Sequence, residues 1–296
     1  MKKIRKLKLS FIILCLVFLM SGCTKNTSYN KDNTSKDKLT VAVSIVPEET
    51  FVKKVAGDLV NVVTLVPKGK SPENSQPTPE ILEAFSSAKS YFTIGVPTEA
   101  SSILPKVKSM NENVKIIDLF STVQNTYKPR KFGENSMDPH IWLSPKRAKI
   151  MVEAIKDDLS SLDPKNKKIY ENNASNYIKS LDDLDIYVKN TLKNMKNRNF
   201  IVYHPAFGYF AEDYNLNMVA LEKEGKEASP KDMEKVIDFA KKEDLKVVFY
   251  QDEVDSKQST AFAESIKGKS KELSPLASNY IENIKSMAKA IAESNK

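Results

Sequence analysis

The chain is poor in the residues that usually carry chemistry: 296 residues hold two histidines, two cysteines, one tryptophan and eight glycines. Both cysteines, Cys15 and Cys23, lie near the amino terminus, so the rest of the chain has no pair to bridge and a disulfide scaffold is excluded. A Gly-rich phosphate loop, a helical HExxH pair and Cys-rich ligand clusters are all missing. A strong field of one sign is missing too. The formal net charge of +8 includes five basic residues among the first eight positions (Lys2, Lys3, Arg5, Lys6, Lys8), which leaves about +3 for the remainder. No stretch clusters bases with aromatics, and nucleic acid is therefore excluded as a partner. Stability must come from a hydrophobic core, which a chain of this length can build as one or split in two.

What is present begins with the amino terminus. After the basic residues comes an apolar run at 11–20, too short to span a hydrocarbon core of ~30 Å as a helix. The layout is that of a secretory signal. It ends in LMSGC at 19–23, which resembles the lipobox of bacterial lipoproteins, with small residues for a peptidase and Cys23 to take the lipid. We expect residues 1–22 to be a signal peptide and Cys23 the lipidation site, placing the protein outside the cytoplasm on the cell membrane. The segment 24–38 (TKNTSYNKDNTSKDK) is too polar to fold, and residues 23–38 read as a flexible tether.

Beyond the tether, short apolar strands alternate with helices, which indicates parallel sheet in α/β units. The strand runs are LTVAVSIV at 39–46 (ended by Pro47), VNVVTLV at 60–66, SYFTIG at 90–95 and VKIIDL at 114–119. The second half repeats the pattern with FIVY around 199–203, NMVAL at 217–221, KVVFY at 246–250 and a weak KEL at 271–273. Helices are expected at 49–56, 79–88 and 145–159, with a last one from about Ala277 to the end. Between the halves, residues 167–195 contain no Gly or Pro. Apolar residues there recur in steps of three and four, from Tyr170 through Leu181 and Leu192 to Met195, which predicts one helix of roughly 28 residues, ~42 Å long. Asp163-Pro164 supplies a start signal, with Asp163 as N-cap. The expected fold is α/β, two lobes each with a small parallel sheet flanked by helices, joined by one long backbone helix. The boundaries are 39–160, 164–196 and 197–296. One doubly wound domain with a helical insertion is the alternative.

Both histidines sit in proline-framed loops: His140 in MDPHIWLSP and His204 in FIVYHPAFGYF, at the carboxyl end of an expected strand, where open α/β sheets place ligands. Two imidazoles from different lobes could meet in a cleft, and neutral imidazole is the commonest nitrogen ligand for zinc-type metals. Isolated histidines are also often ordinary hydrogen-bonded residues.

Taken together, DPHIWLSP, IVYHPAFGYFAEDYNL, the long helix between them and the Gly-x-x-Pro…Pro-Thr-Pro loop resemble the metal-binding solute-binding proteins of zinc and manganese ABC importers. The resemblance covers nearly the whole chain beyond the signal. It implies one metal held between two lobes, no catalysis, and as partners the membrane permease and ATPase of a metal ABC importer, with the protein a monomer tethered by lipid. His140 and His204 match two family ligands. The family's first ligand is usually a histidine after Gly-x-x-Pro. In GKSPENSQPTP that position is Glu73, and Gln76 replaces a usual Glu. The last ligand is commonly an aspartate in a turn that here reads LSPL, so Ser274 stands in its place.

Three readings of that change stay open. Glu73 ligates and completes a His2Glu set for zinc or manganese; Gln251, Asp252 and Glu253, after KVVFY, complete the site; or the cleft takes something other than a bare metal. Among other features, Trp142 is expected to wedge the lobe core beside His140. Tyr203, Phe207, Tyr209 and Phe210 are expected to pack the His204 loop rigidly. Glu227 resembles a position near the cleft or simply precedes a helix. Alternative functions are a cell-surface zinc metallohydrolase with Glu73 as general base, and a lipid-anchored adhesin.

Overall fold

Strand β1 (Leu39–Val43) is buried at its carboxyl end and pairs in parallel with β2 (Val60–Thr64) on one side and β3 (Ser90–Thr93) on the other, with β4 (Lys115–Asp118) outside β3. The computed structural model describes residues 38–133, 136–222, 228–251, 253 and 257–295. The expected signal peptide, Cys23, and the tether up to residue 37 lie outside the described residues, as do Glu227 and Asp252. A second parallel sheet follows from β5 (Asn199–Val202), β6 (Asn217–Ala220), β7 (Val247–Tyr250) and β8 (Lys269–Glu272). The two sheets have the same strand order, β2-β1-β3-β4 and β6-β5-β7-β8. Each therefore has one topological switch point, between β1 and β3 and between β5 and β7, where neighbouring connections leave in opposite directions and open a crevice at the carboxyl edge.

The helices are α1 (Val46–Ala56), α2 (Pro79–Phe85), α3 (Val107–Met110), α4 (Leu119–Gln124), α5 (Pro145–Leu162), α6 (Lys167–Leu192), α7 (Gly208–Asp213), α8 (Pro230–Lys242), α9 (Lys257–Ser265) and α10 (Tyr280–Ser294). None of the described helices is long and apolar enough to cross a membrane. β1 and β4 feed helices within two residues, and that shortens them against expectation. Pro47 does not end β1; it lies in the first turn of α1, where its missing N–H costs nothing. The buried Glu48 carboxylate accepts the free amides of Ser44 and Ile45 at 3.0 Å each.

The long helix α6 buries Tyr170, Ala174, Tyr177, Leu181, Leu184, Val188 and Leu192, the expected stripe. It begins differently, however. Asp163 does not cap it. A 3₁₀ turn (Pro164–Asn166) intervenes, and the Asp163 carboxylate accepts from Tyr170 Oη at 2.8 Å and Asn166 Nδ2 at 2.6 Å. The helix ends at Leu192, earlier than 195, and α10 starts at Tyr280, later than 277. One contiguous apolar core takes in β1, α1, α5, α6, β5 and α10, so the buried face of α6 belongs to both lobes at once. Smaller clusters sit on the outer face of each sheet.

Candidate metal centre

His204 lies two residues past the last paired residue of β5, just before Pro205, and is 5 % exposed. Phe207, Tyr209 and Phe210 are buried in the shared core, and Tyr209 Oη bonds the backbone of Arg130 and Asp138 in the His140 loop. Tyr203 points to the other side of the sheet, into the second cluster, and donates to Gln258 Oε1 at 3.0 Å. His140 comes from the long loop after α4 and is 3 % exposed. Its own Asp138 holds it twice: Oδ1 accepts the His140 backbone amide at 3.0 Å and ring Nδ1–H at 2.9 Å. Glu73 lies in the loop after β2 and is the site's exposed member, its side chain 35 % accessible. Thr98 anchors that loop on both sides of Glu73: its amide donates to Pro72 O at 3.0 Å and its hydroxyl to Ser75 O at 3.2 Å.

The structure brings these three residues together. One donor atom from each of Glu73, His140 and His204 lies within 4.8 Å of the others. The two Nε2 atoms face each other at 3.4 Å, and Glu73 Oε1 is 3.8 Å from His204 Nε2. Each ring's other nitrogen is committed to a carboxylate, Nδ1 of His140 to Asp138 and Nδ1 of His204 to Glu222. A carboxylate only accepts, so each Nδ1 carries a proton, which leaves each Nε2 available to turn a lone pair inward. Two lone pairs aimed at one point repel unless a cation stands between them. Tetrahedral zinc with Zn–N of about 2.0–2.1 Å sets its nitrogens about 3.3–3.4 Å apart, and the observed spacing is 3.4 Å.

The space between the three residues is about 10 Å³, with Trp142, Gln251, Glu253, Pro275 and Leu276 lining it around them. That is room for a single ion or water. Small organic ligands occupy pockets of roughly 300–1,000 Å³. Trp142 does more than wedge. Its ring lies tilted against His140 with centroids 5.0 Å apart, and its Nε1–H donates to Pro275 O at 2.9 Å, tying His140 to the carboxyl-terminal turn. Ser274 is not brought into the site. Its hydroxyl turns outward to Glu272 Oε1 at 3.3 Å and does not line the cavity. Gln76 is exposed.

Behind the site lies a charged seam that the sequence did not single out. Arg147, on α5 and 2 % exposed, pairs across the lobes with Asp213 at 3.1 Å and Glu212 at 2.7 Å, its guanidinium between the Tyr127 and Tyr209 rings at 4.9 and 4.5 Å. Arg130 reaches Glu212 at 3.3 Å and approaches Asp138 at 3.7 Å, and Tyr209 Oη donates to Asp138 O at 2.9 Å. The residue that aims His140 is thus held from the other lobe through its backbone carbonyl, while Arg130 approaches its carboxylate from its own lobe. Glu222 follows NMVAL directly, at the carboxyl edge of the strand beside β5, and an acid in that place is a usable sequence signal.

The first lobe's own switch point is filled by protein. Glu99 accepts from Ile94 N at 2.8 Å, Gly95 N at 2.9 Å and the Ser44 hydroxyl, and Ser44 Oγ meets Tyr91 Oη at 2.8 Å. Gly95 has φ +87°, the left-handed turn that lets its amide face Glu99. Burial pushes the Glu99 carboxyl up to about 7, against the pull of those three donors, and burial raises Glu48 well above the usual carboxylate range, with Glu99 adding to it.

The family model "Zinc-uptake complex component A periplasmic" (ZnuA) matches residues 41–294, the whole of both lobes. The chain belongs to the ZnuA family. Among relatives, the high-affinity zinc uptake system protein ZnuA of Bacillus subtilis is 28% identical over 278 residues, 90% of this chain and 87% of its own length. The manganese-binding lipoprotein MntA of Halalkalibacterium halodurans is 26% identical over 83% of this chain and 81% of its own. A crystal structure of ZnuA is 37% identical, covers 88% of this chain and 100% of the other, and superposes with a TM-score of 0.83.

Proposed function

We propose that this member of the ZnuA family is an extracytoplasmic solute-binding protein that captures one divalent transition-metal ion between its lobes and delivers it to the permease and ATPase of an ABC importer. The ligands are His140, His204 and Glu73. The observation that carries this reading is the pair of Nε2 lone pairs 3.4 Å apart, each ring locked by a carboxylate on its far nitrogen. Zinc is the ion we favour. The nitrogen spacing fits a tetrahedral ion, and zinc outranks manganese for any mixed nitrogen and oxygen set. A space of about 10 Å³ between the three residues suits a single ion, in keeping with capture.

Residues 39–160 and 197–296 serve as the lobes and 164–196 as their link, with the chain a monomer anchored through Cys23. The core shared along α6 and the Arg147 seam oppose wide opening. Release then works by local movement, and Glu73, the most accessible of the three ligands, is the one whose side chain can swing away. The test is calorimetric titration of the metal-free protein with Zn²⁺ and Mn²⁺, beside His140→Ala, His204→Ala and Glu73→Ala. One-to-one binding with zinc tighter than manganese, lost in both histidine variants and weakened by Glu73→Ala, is expected. A protein that takes up neither ion, or that keeps binding without either histidine, would refute the reading.

A further inference from the structure

The three ligands leave one place on a four-coordinate ion, and the serine at the family's usual position faces outward. We infer that Gln251 fills that place, its side-chain amide oxygen serving as the fourth donor. The inference rests on the metal reading above and makes it more specific. Three observations carry it.

The first is register. β5 and β7 flank the second lobe's switch point, and Val202 pairs with Phe249. His204 and Gln251 each lie two residues beyond that pair, so they face each other across the crevice mouth, as the fold requires of groups that share a ligand there. The second is burial without a partner. Gln251 is 8 % exposed, yet its side-chain amide makes no hydrogen bond among the described residues, although it lines the same small cavity as both histidines. An ion held by the histidines would be the missing partner, since an amide carbonyl oxygen is a ready donor to a cation. The third is the displacement of Ser274 itself. The Trp142–Pro275 bond draws the turn's backbone to the cavity wall and leaves the serine hydroxyl on the outer side.

The resulting set is two imidazole nitrogens, one carboxylate and one neutral amide. Half of its donors are oxygen, so discrimination against manganese is weaker than three histidines would give. Glu253 lines the same wall and is the competing donor.

The test uses the whole chain beyond the signal, loaded with Zn²⁺ for affinity and Co²⁺ for visible absorption, in the wild type and in Gln251→Leu, Gln251→Glu and Glu253→Gln. Melting of each metal-free protein shows that it is folded. Gln251→Leu is expected to weaken Zn²⁺ binding about tenfold and to change the Co²⁺ bands as water enters the vacant place. Gln251→Glu should keep the four-coordinate spectrum and bind at least as tightly, a rescue that mere packing would not give. Glu253→Gln should match the wild type. If Gln251→Leu binds and absorbs like the wild type, or if Glu253→Gln alone carries the loss, Gln251 is not the donor while the metal reading stands. A wild type that binds no metal would overturn both.

Discussion

Replacing Asp138 by Asn tests whether the site is tuned from behind its ligands. The substitution keeps the size and leaves an oxygen that can go on accepting the His140 amide at 3.0 Å, so the loop should hold its shape. What it removes is charge. The Asp138 carboxylate is 3 % exposed and takes the Nδ1 proton at 2.9 Å, which raises the electron density on Nε2 and adds a negative charge one ring away from a cation. Its second oxygen approaches Arg130 Nε at 3.7 Å, and an amide nitrogen placed there would meet another donor. Loss of such an orienting partner typically costs 10–100-fold in metal affinity, about 1.4–2.7 kcal/mol. Competition with a chromophoric chelator, read for Zn²⁺ at fixed pH, gives the ratio directly. The expected result is a dissociation constant raised about 10–100-fold with the metal-free melting temperature nearly unchanged. A variant within about threefold of the wild type, while His140→Ala abolishes binding, would show that the hydrogen bond only positions the loop.

The other predictions concern the scaffold. Glu99 titrates near 7 in the fold against a usual 4.5, so its proton contributes stability that is full below about 4.5 and lost as pH rises through about 7, roughly 3 kcal/mol in all. Denaturant melts of the metal-free protein from pH 4.5 to 8 should show the wild type losing stability over that window more steeply than Glu99→Gln; parallel profiles would contradict the assignment. Gly208→Ala would put a Cβ 2.6 Å from Arg130 Nε and 2.8 Å from Asp138 Oδ2. Overpacking of this kind costs about 1–3 kcal/mol, and because Asp138 is displaced, Zn²⁺ affinity should fall with stability; a loss of stability alone would detach Arg130 from the site. Arg147→Met breaks a buried pair and should cost about 3–5 kcal/mol by denaturant titration. Arg147→Lys should recover little of it, because an ammonium cannot reach Glu212 and Asp213 together while lying flat between two tyrosines; full recovery by lysine would mean that charge alone matters there.

Much of this was legible before any coordinates, and the limits have physical causes. The parallel strands announced themselves as apolar runs, but those runs overshoot the paired segments, since the chain stays buried as it turns into a helix. Ile45 and Leu65 are fully buried yet lie outside β1 and β2. Asp163 misled because Asp before Pro fits a cap, while nothing local reveals that Tyr170, seven residues on, donates to the carboxylate instead. His140 and His204 stood out through scarcity and proline framing. Asp138 and Glu222 did not, because an orienting carboxylate has no fixed spacing from the ring it orients: Asp138 is two residues from its histidine and Glu222 eighteen.

The carboxyl edge of a doubly wound sheet, where ligands are expected to gather, carries candidate ligands in one lobe and is plugged in the other. In the second lobe, His204 and Gln251 follow the two strands that flank the switch point. In the first lobe the same place, between β1 and β3, is occupied by Ser44, Tyr91 and the buried acids Glu48 and Glu99. Its contributions to the site come from the flanks, Glu73 after the edge strand β2 and His140 from the loop beyond the opposite edge strand β4. The plug is what makes that possible. Glu99 pins the turn at Ile94 and Gly95, and its neighbour Thr98 holds the backbone on both sides of Glu73. A crevice that could have taken a ligand has become the anchor of a loop that reaches into the other lobe's crevice. Two sheets of identical order therefore build one site between them and not one site each.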